Sequence, residues 1–421
     1  MFRARCSRLA FFGPAGHIIP VLLLLLLVTE SAFASSPRLN VIMPRGVQRG
    51  HEQVLTFSGE RLQETQEIFL YSNGVTVKNI EQVDDNNVKV TVDVAADCRL
   101  GEHVAQLRTT TGISEYRTFF VGALPEVAEV EPNNDFEKPQ PIQHNQTVTG
   151  VITSEDVDYF QIKATQGQRI SIEVEGIRLG SQLIDPFLAV LDENRFEIFV
   201  QDDTLLLKQD CFISFVPQED ATYTILLRDS SYGGNGNCHY RMHVGQFPRP
   251  SLAYPAGAPA GAEAEVQLLG DPTGPITHRF QVEESNSFRD GLFYQDELGI
   301  TPSPIRFRVN NLSNVFEAEP NSGFDNSTRV AVPSAMNGVM QEARDRDWFS
   351  FECKKGQVLD INAFAQRLGS PLDVVINVYG PDKKHIQGND DARGADSFYR
   401  FTAPADGVYY IRVRDLLDRG G

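Results

Sequence analysis

The chain has 421 residues, of which 41% are hydrophobic and 22% are charged, and its formal net charge is −18. That length is enough for about three or four domains, and the composition is ordinary for globular ones. Such an acidic surface repels nucleic-acid phosphates and anionic membranes, so it argues against a nucleic-acid partner and suits the binding of cations.

The first 34 residues have the layout of a secretory signal peptide. Arg3, Arg5 and Arg8 form a positive start, an apolar stretch covers residues 18–28, and residues 32–34 have the small-x-small form of a cleavage site. An uncleaved anchor is the alternative, but a membrane span needs about 20 apolar residues. We expect a secreted, periplasmic or cell-surface protein that does not insert into a membrane after cleavage.

Residues 37–122 read as short β-strands separated by turns. Residues 54–57, 68–71, 88–92 and 116–120 are rich in β-branched and aromatic side chains. Because no long window has apolar residues at helical spacing, this region predicts an immunoglobulin-like β-sandwich. Its opening, residues 44–59, loosely resembles TIG or IPT modules.

The next region occurs twice. Arg178-Leu179-Gly180-Ser181 and Asp202-Asp203 in residues 125–246 return, about 188 residues later, as Arg367-Leu368-Gly369-Ser370 and Asp390-Asp391 in residues 315–421. Residues 248–312, between the copies, look like a trimmed repetition of the N-terminal sandwich that opens with a flexible stretch. The predicted fold class is therefore all-β, a series of β-sandwich modules, immunoglobulin-like in residues 37–122 and 248–312, with very little helix outside the signal peptide.

The second copy stops before its last strand. The first copy continues beyond Asp229 to a strand that ends at Val244, whereas six residues follow the matching Asp415. We expect the second sandwich to lack its closing strand and to expose unpaired backbone groups. We also expect the chain to be a fragment, or a truncated reading frame, of a longer secreted protein.

Four cysteines remain after signal cleavage. Cys98 and Cys353 look solitary, while Cys211 and Cys238 lie in one unit, and strand alternation turns both toward one core. Export permits a disulfide, but spacing alone does not fix the geometry that a disulfide needs. A Cys211–Cys238 bridge and two buried thiols therefore both stay open.

Both copies resemble the bacterial pre-peptidase C-terminal domain. The shared residues are Glu-Pro-Asn at 131–133 and 319–321, Asp-x-Asp-Tyr/Trp-Phe at 156–160 and 345–349, and Leu-Gly-Ser within the motif above. The resemblance implies a non-catalytic, jelly-roll-like module of secreted proteins that often accompanies a peptidase domain. Clostridial collagen-binding domains are similar and hold calcium, and the alternation with immunoglobulin-like modules resembles large exported proteins of planctomycete bacteria.

Carried over by position, that resemblance gives two sets of calcium ligands. The first set is Glu129, Glu131, Asn133, Asn134, Asp156 and Asp158, and the second is Glu317, Glu319, Asn321, Asp345 and Asp347. Ser322 stands where the first copy has Asn134, which weakens the second site.

The residue pattern supports calcium independently. Residues two apart on an extended chain face one side, so Glu129 with Glu131, and Asp156 with Asp158, each present two carboxylates together. Carboxylate and amide oxygens are the ligands that calcium prefers. The alternative is a set of solvated turn residues on an acidic surface.

Other features favour structural interpretations. Asp202-Asp203 and Asp390-Asp391 are typical of hydrogen-bonded turns. His239 and His243 lie about 13 Å apart on a strand, too far to share a metal ion. Aromatics that could bind a polymer if exposed are Tyr232, Tyr240, Tyr399 and Tyr410, although the pattern favours core or cross-strand packing for them.

The sequence carries no zinc-protease motif, nucleophile elbow, phosphate loop or dinucleotide fingerprint. We therefore expect a non-catalytic, calcium-stabilised protein that binds an extracellular polymer, collagen-like or polysaccharide, or a cell-surface protein. The accessory region of a secreted peptidase and a purely structural spacer are the alternatives.

Overall fold

The computed structural model describes residues 36–180, 182–204, 207–284 and 291–420. The predicted signal peptide and Ser181 of the repeated motif lie outside these residues. The described residues form β-strands and two one-turn 3-10 helices, Ile177–Leu179 and Gln366–Leu368. The all-β prediction is confirmed. No helix among the described residues has the length and apolarity to cross a bilayer.

The N-terminal module, residues 36–122, is a two-sheet sandwich. One sheet has the order β1-β3-β6-β5 and the other β2-β9-β7-β4, with β8 paired to β7. Alternate residues of β3 and β6 face a shared core that includes Leu55, Phe57 and Val90. The strands are β1 Arg38–Met43, β2 Gly46–Gln48, β3 Glu52–Glu60, β4 Thr65–Leu70, β5 Val75–Gln82, β6 Asn87–Val94, β7 Gly101–Thr109, β8 Gly112–Ile113 and β9 Arg117–Gly122.

The first repeat unit, residues 125–246, packs two five-stranded sheets face to face. Their orders are β10-β12-β19-β14-β17 and β11-β13-β18-β15-β16. The closing strand β19 lies between β12 and β14 and is antiparallel to both. The strands are β10 Glu126–Ala128, β11 Gln140–Pro141, β12 Gln146–Val151, β13 Asp158–Ala164, β14 Ile170–Glu175, β15 Pro186–Leu191, β16 Glu197–Gln201, β17 Phe212–Phe215, β18 Ala221–Asp229 and β19 His239–Gly245.

The linker module, residues 248–312, repeats part of the N-terminal arrangement in small sheets. Its sheets are β20-β22-β23, β21-β26 and β24-β25. The predicted flexible opening is wrong, because residues 252–254 and 257–259 pair as strands and bury the small side chains of Ala253 and Ala258. The strands are β20 Leu252–Tyr254, β21 Gly257–Pro259, β22 Glu263–Leu269, β23 Ile276–Gln281, β24 Gln295–Asp296, β25 Gly299–Ile300 and β26 Arg308–Asn310.

The second repeat unit begins with β27, at Asn314, and extends to residue 420. One of its sheets is continuous, and the other is divided into two strand pairs. The whole sheet has the order β28-β30-β35-β32-β33, and the remainder is two pairs, β27-β29 and β31-β34. Among the described residues no strand joins those two pairs. The strands are β27 Asn314–Phe316, β28 Thr328–Arg329, β29 Ala335–Asn337, β30 Asp347–Cys353, β31 Val358–Asn362, β32 Val374–Tyr379, β33 His385–Asn389, β34 Phe398–Thr402 and β35 Gly407–Asp415.

The described cysteines are all free thiols and all buried. Cys211 and Cys238 both lie in the core of the first repeat unit, as strand alternation predicts. Their sulfurs point to different backbone carbonyls, those of Pro186 and Leu183, so two buried thiols are present and the disulfide alternative is not.

Candidate metal centres

In each repeat unit, three carboxylates converge at the start of one strand. Oxygens of Glu129, Glu131 and Asp158 lie within 4.8 Å of one another, and so do those of Glu317, Glu319 and Asp347. Asp158 begins β13 and Asp347 begins β30, so the same structural position carries the aspartate in both units. The two glutamates come from the segment that follows β10 or β27.

The backbone fixes the first glutamate of each cluster. Glu129 Oε1 accepts a hydrogen bond from Val151 N at 2.6 Å, and Glu317 Oε1 accepts one from Val339 N at 2.7 Å. These bonds occupy one oxygen of each carboxylate and direct the other toward the cluster. Burial, and then the neighbouring carboxylates, raises the pKa of Glu129 and of Glu317.

The aspartates are the most buried members and have oxygens without a partner. Asp158 and Asp347 are at most 1% exposed. Neither Asp158 Oδ2 nor Asp347 Oδ1 has a hydrogen-bond partner among the described residues. Burial and the carboxylates beside them raise the pKa of each to about 8. A cation at either cluster would stabilise the ionised carboxylates, because its positive charge offsets the free-energy cost of burying negative charges close together.

The asparagine of the Glu-Pro-Asn motif contacts the same carboxylates. With its amide nitrogen turned inward, Asn133 donates to Asp158 Oδ1 at 3.0 Å and to Glu131 Oε2 at 3.2 Å. When the Asn133 amide is rotated so that its oxygen faces the carboxylates, the cluster presents only oxygen atoms. Calcium prefers such an environment. The counterpart Asn321 is fully buried, and its Oδ1 has no partner among the described residues.

The other predicted ligands belong to a neighbouring turn. Asp156 Oδ2 accepts from Thr153 N at 3.1 Å, and Asp345 Oδ2 accepts from the matching Gln341 N at 2.8 Å. Asn134 donates to Asp156 rather than facing the cluster, and Ser322 is exposed. The structure therefore brings together four predicted residues in each unit and assigns Asp156, Asp345 and Asn134 to the turn beside them.

Sequence reasoning missed a residue that contacts the first cluster. Tyr240 is buried, and its hydroxyl donates to Glu129 Oε2 at 2.7 Å. Its position on β19 among inward-facing residues predicts burial, but nothing in the sequence connects it to a residue about 110 positions earlier. The suggestion of Tyr240 as an exposed binding aromatic is wrong. Tyr232 is exposed, and Tyr399 and Tyr410 are half-buried.

The remaining candidates have structural contacts. The Asp202 carboxylate accepts from the backbone of Asp203 in an exposed turn, and Asp390 and Asp391 are exposed. His243 Nδ1 lies 2.8 Å from Thr147 Oγ1 and its Nε2 lies 3.2 Å from Glu175 Oε2. His239, also on β19, has a half-buried side chain.

Comparison with known proteins bears on the second repeat unit. Residues 345–415 match the sequence model of the bacterial pre-peptidase C-terminal domain. This match begins at the aspartate turn of the second centre and ends with β35. It covers a minority of the chain. Domains of this family are typical of secreted proteins, and the match is consistent with an extracellular location.

A curated relative of the chain is a "probable subtilase-type serine protease" of Deinococcus radiodurans. The two are 36% identical over 76 residues, which is 18% of this chain and 10% of that protein. The chain thus spans about a tenth of the length of the curated relative it matches.

Solved structures give weaker likenesses. The secreted serine protease VesC from Vibrio cholerae has a TM-score of 0.19 and 10% identity, with 50% of each chain covered. The adhesin InvE of Yersinia pseudotuberculosis has a TM-score of 0.18 and 10% identity, with 59% of this chain and 58% of that one covered. We draw no conclusion about function from likenesses this small.

Proposed function

We propose that this protein is a non-catalytic, exported binding protein whose two repeat units are each stabilised by one calcium ion. The observation that carries the proposal is the repeated centre, three clustered carboxylates with a buried, unpartnered aspartate oxygen at the same position in both units. Calcium takes six to eight oxygen ligands. Glu129, Glu131, Asp158 and Asn133 would hold the first ion, and Glu317, Glu319, Asp347 and Asn321 the second.

Calorimetry and thermal melting of the full chain test the calcium sites. We expect two calcium ions per chain and a rise in Tm, because a ligand that binds only the folded state stabilises it by about 2.7 kcal/mol at 100 times its Kd. Asp158→Asn and Asp347→Asn should each remove one ion. Asp203→Asn, in an exposed acidic turn, is the control and should leave both. No calcium binding by the unaltered chain contradicts the proposal.

The proposed partner is an extracellular polymer, collagen-like or polysaccharide, or a cell-surface protein. The match of residues 345–415 to a domain of secreted proteins supports an extracellular partner. Retention of the chain on collagen, chitin and cell-wall preparations, with calcium or a chelator, tests it. Retention on one material is the expected result, and equal passage through all of them would instead indicate a structural spacer.

A second candidate is an accessory region of a secreted peptidase. The sequence identity to a subtilase-type protease favours this function, since the matched segment of that relative is part of a protein named as a probable protease. Mass spectrometry of the polypeptide isolated from its natural source distinguishes the two functions. A peptidase domain on the same polypeptide, found by mass spectrometry, supports the accessory function, and its absence supports the binding protein.

A further inference from the structure

The strand β16 forms an exposed edge of the first repeat unit. It pairs with β15 along one side and is the last strand of its sheet. This edge is not left by a missing strand, because both sheets of the unit have five strands and the closing strand β19 is in place. Phe196, Ile198, Phe199 and Val200 are between 37% and 70% exposed. An apolar edge of this kind is a template for pairing with another strand.

The fold itself does not require these apolar residues. The equivalent strand of the second repeat unit, β33, pairs with β32 in the same register as β16 pairs with β15. There Gln387 and Gly388 stand where β16 has Phe199 and Val200. Because one unit folds with a polar residue and a glycine at this edge, the exposed apolar side chains of the other unit indicate a contact outside it.

The backbone of β16 has a donor that faces outward. Ser230 N donates to Asp185 O, so the backbone of Asp185 faces β18. Because successive residues of a strand direct their N–H and C=O groups to opposite sides, Val190 faces β16 and pairs there with Phe199. The N–H of Val200, the next residue, therefore points away from the sheet, where a further strand can accept its hydrogen bond.

The sequence of this edge is complementary to itself. When two copies of β16 run antiparallel with Phe199 opposite Phe199, Ile198 of one copy lies opposite Val200 of the other, and apolar side chains meet. In the same register Arg195 lies opposite Asp203 at both ends of the contact, and both residues are exposed. Opposite charges at facing positions stabilise a strand pair. The edge therefore fits a second copy of the chain.

We propose that two copies of this chain associate through β16, antiparallel, about a two-fold axis that passes beside Phe199. The five-stranded sheets of the two copies then continue into one another across the contact. A two-fold contact uses the same surface of both copies, so every interaction in it occurs twice. Main-chain hydrogen bonds supply affinity, and the apolar and charged pairs determine the register.

Sedimentation equilibrium of the full chain measures the association, and we expect a reversible monomer–dimer equilibrium. Arg195→Asp should weaken the dimer by about tenfold or more, because two attractions become two repulsions. Lys383→Asp is the matched control, since it makes the same charge change at the equivalent turn of the second unit, where φ is also positive. It should leave the dimer unchanged.

A reciprocal exchange of charges tests the register. Arg195→Asp combined with Asp203→Arg restores opposite charges across the contact, and it should bring the affinity back to within about threefold of the unaltered chain. The exposed pair of Arg195 with Glu137 of the same chain is lost in the single and the double variant alike, so the recovery does not depend on it.

A cysteine at the axis provides a second, covalent measurement. Because the N–H of Phe199 faces β15, the two Phe199 residues form a non-hydrogen-bonded pair, with Cα atoms about 4.5 Å apart, a separation that a disulfide allows. On oxidation, Phe199→Cys should give a disulfide-linked dimer and Gln387→Cys on β33 should not.

Four results overturn the proposal. They are a chain that stays monomeric at high concentration, a dimer as stable with Arg195→Asp as without it, a double variant no tighter than Arg195→Asp alone, and equal cross-linking of the two cysteine variants, including none in either.

Discussion

At the scale of single residues, burying the ionised carboxylates of Asp158 and Asp347 costs free energy that their hydrogen bonds do not offset. Asp158 and Asp347 begin equivalent strands, each lies beside two glutamates of its own unit, and each keeps an oxygen without a partner among the described residues. Their pKa of about 8 means that the folded chain holds protons that the unfolded chain releases near pH 4. The same residues that make calcium attractive therefore make the calcium-free protein sensitive to pH.

The expected pH dependence follows from the sign of that shift. A carboxyl whose pKa is higher in the folded state binds more protons there, so the free energy of unfolding falls as pH rises from about 4 to about 8. In a chelator, Tm should decline over this range, and the Asp158→Asn, Asp347→Asn double variant should show a flatter profile. With millimolar calcium the decline should be reversed, since ion binding requires the ionised carboxylates. A rise of Tm with pH in chelator would contradict this assignment.

At the scale of elements, the repeated Arg-Leu-Gly motif is explained by a buried aspartate. The 3-10 helices at Ile177–Leu179 and Gln366–Leu368 each end at a glycine with positive φ, 66° at Gly180 and 98° at Gly369, a conformation that glycine adopts without strain. Their first N–H groups donate to Asp210 or to Asp396, both fully buried. The motif arginine donates to the same carboxylate.

Asp396→Ala should therefore destabilise the second repeat unit. It leaves two or more backbone donors and the Arg367 guanidinium without their acceptor, and we expect the free energy of unfolding to fall by about 3 kcal/mol. Chemical denaturation followed by fluorescence of the sole tryptophan, Trp348 in β30, measures it. Asp406→Ala is the control, because exposed Asp406 accepts from one backbone N–H, at 2.7 Å from Lys355, and its loss should lower the free energy of unfolding far less. Equal losses in the two variants would refute the explanation.

At the scale of the whole molecule, a buried ion-pair cluster of the first repeat unit packs against the N-terminal module. Arg241 of β19 donates to Glu175 at 2.6 Å and to Glu126 at 2.7 Å, and its guanidinium fills the space over Gly46 and Gly122 of the N-terminal module. A Cβ at Gly46 would approach Arg241 Nε to 2.3 Å, so the glycine is required there for close approach.

Ion pairs join the linker module to the first repeat unit. Arg249 Nε donates to Glu173 at 2.6 Å, and Arg169 donates to Asp271 at 3.1 Å and to Asp296 at 2.7 Å. These side chains are buried or nearly so, apart from Asp296. In the second repeat unit the positions of Glu173 and Glu175 are taken by Asn362 and Phe364, so this unit cannot repeat the network.

Breaking the Arg241 pairs should destabilise the N-terminal half. Arg241→Met leaves buried Glu175 and half-buried Glu126 without the guanidinium that pairs with both, and we expect a loss of about 3 kcal/mol in the free energy of unfolding. Adding Glu175→Gln should recover part of it, because one unpaired charge is removed. Arg400→Met, which breaks an exposed pair with Asp360, should lower the free energy of unfolding far less than Arg241→Met. Differential scanning calorimetry of the four proteins checks this, and equal effects of the two single variants would contradict it.

The sequence by itself determined the features that depend on neighbours along the chain. Alternating apolar residues predicted the strands, and the fixed offset predicted two related units. Carboxylates two residues apart predicted that Glu129 and Glu131 act together. The boundaries of the modules and the identity of the ion remain predictions.

The tertiary structure alone decided contacts between distant residues. It placed Asp156 in a turn and Asp158 in the cluster, set Tyr240 against Glu129, kept Cys211 and Cys238 apart, and put Arg241 under Gly46. Local pattern fixes which side of a strand a residue occupies, since side chains alternate with a period of two. Which residues meet across sheets and modules depends on how the strands pack, and a short-range period carries no information about that.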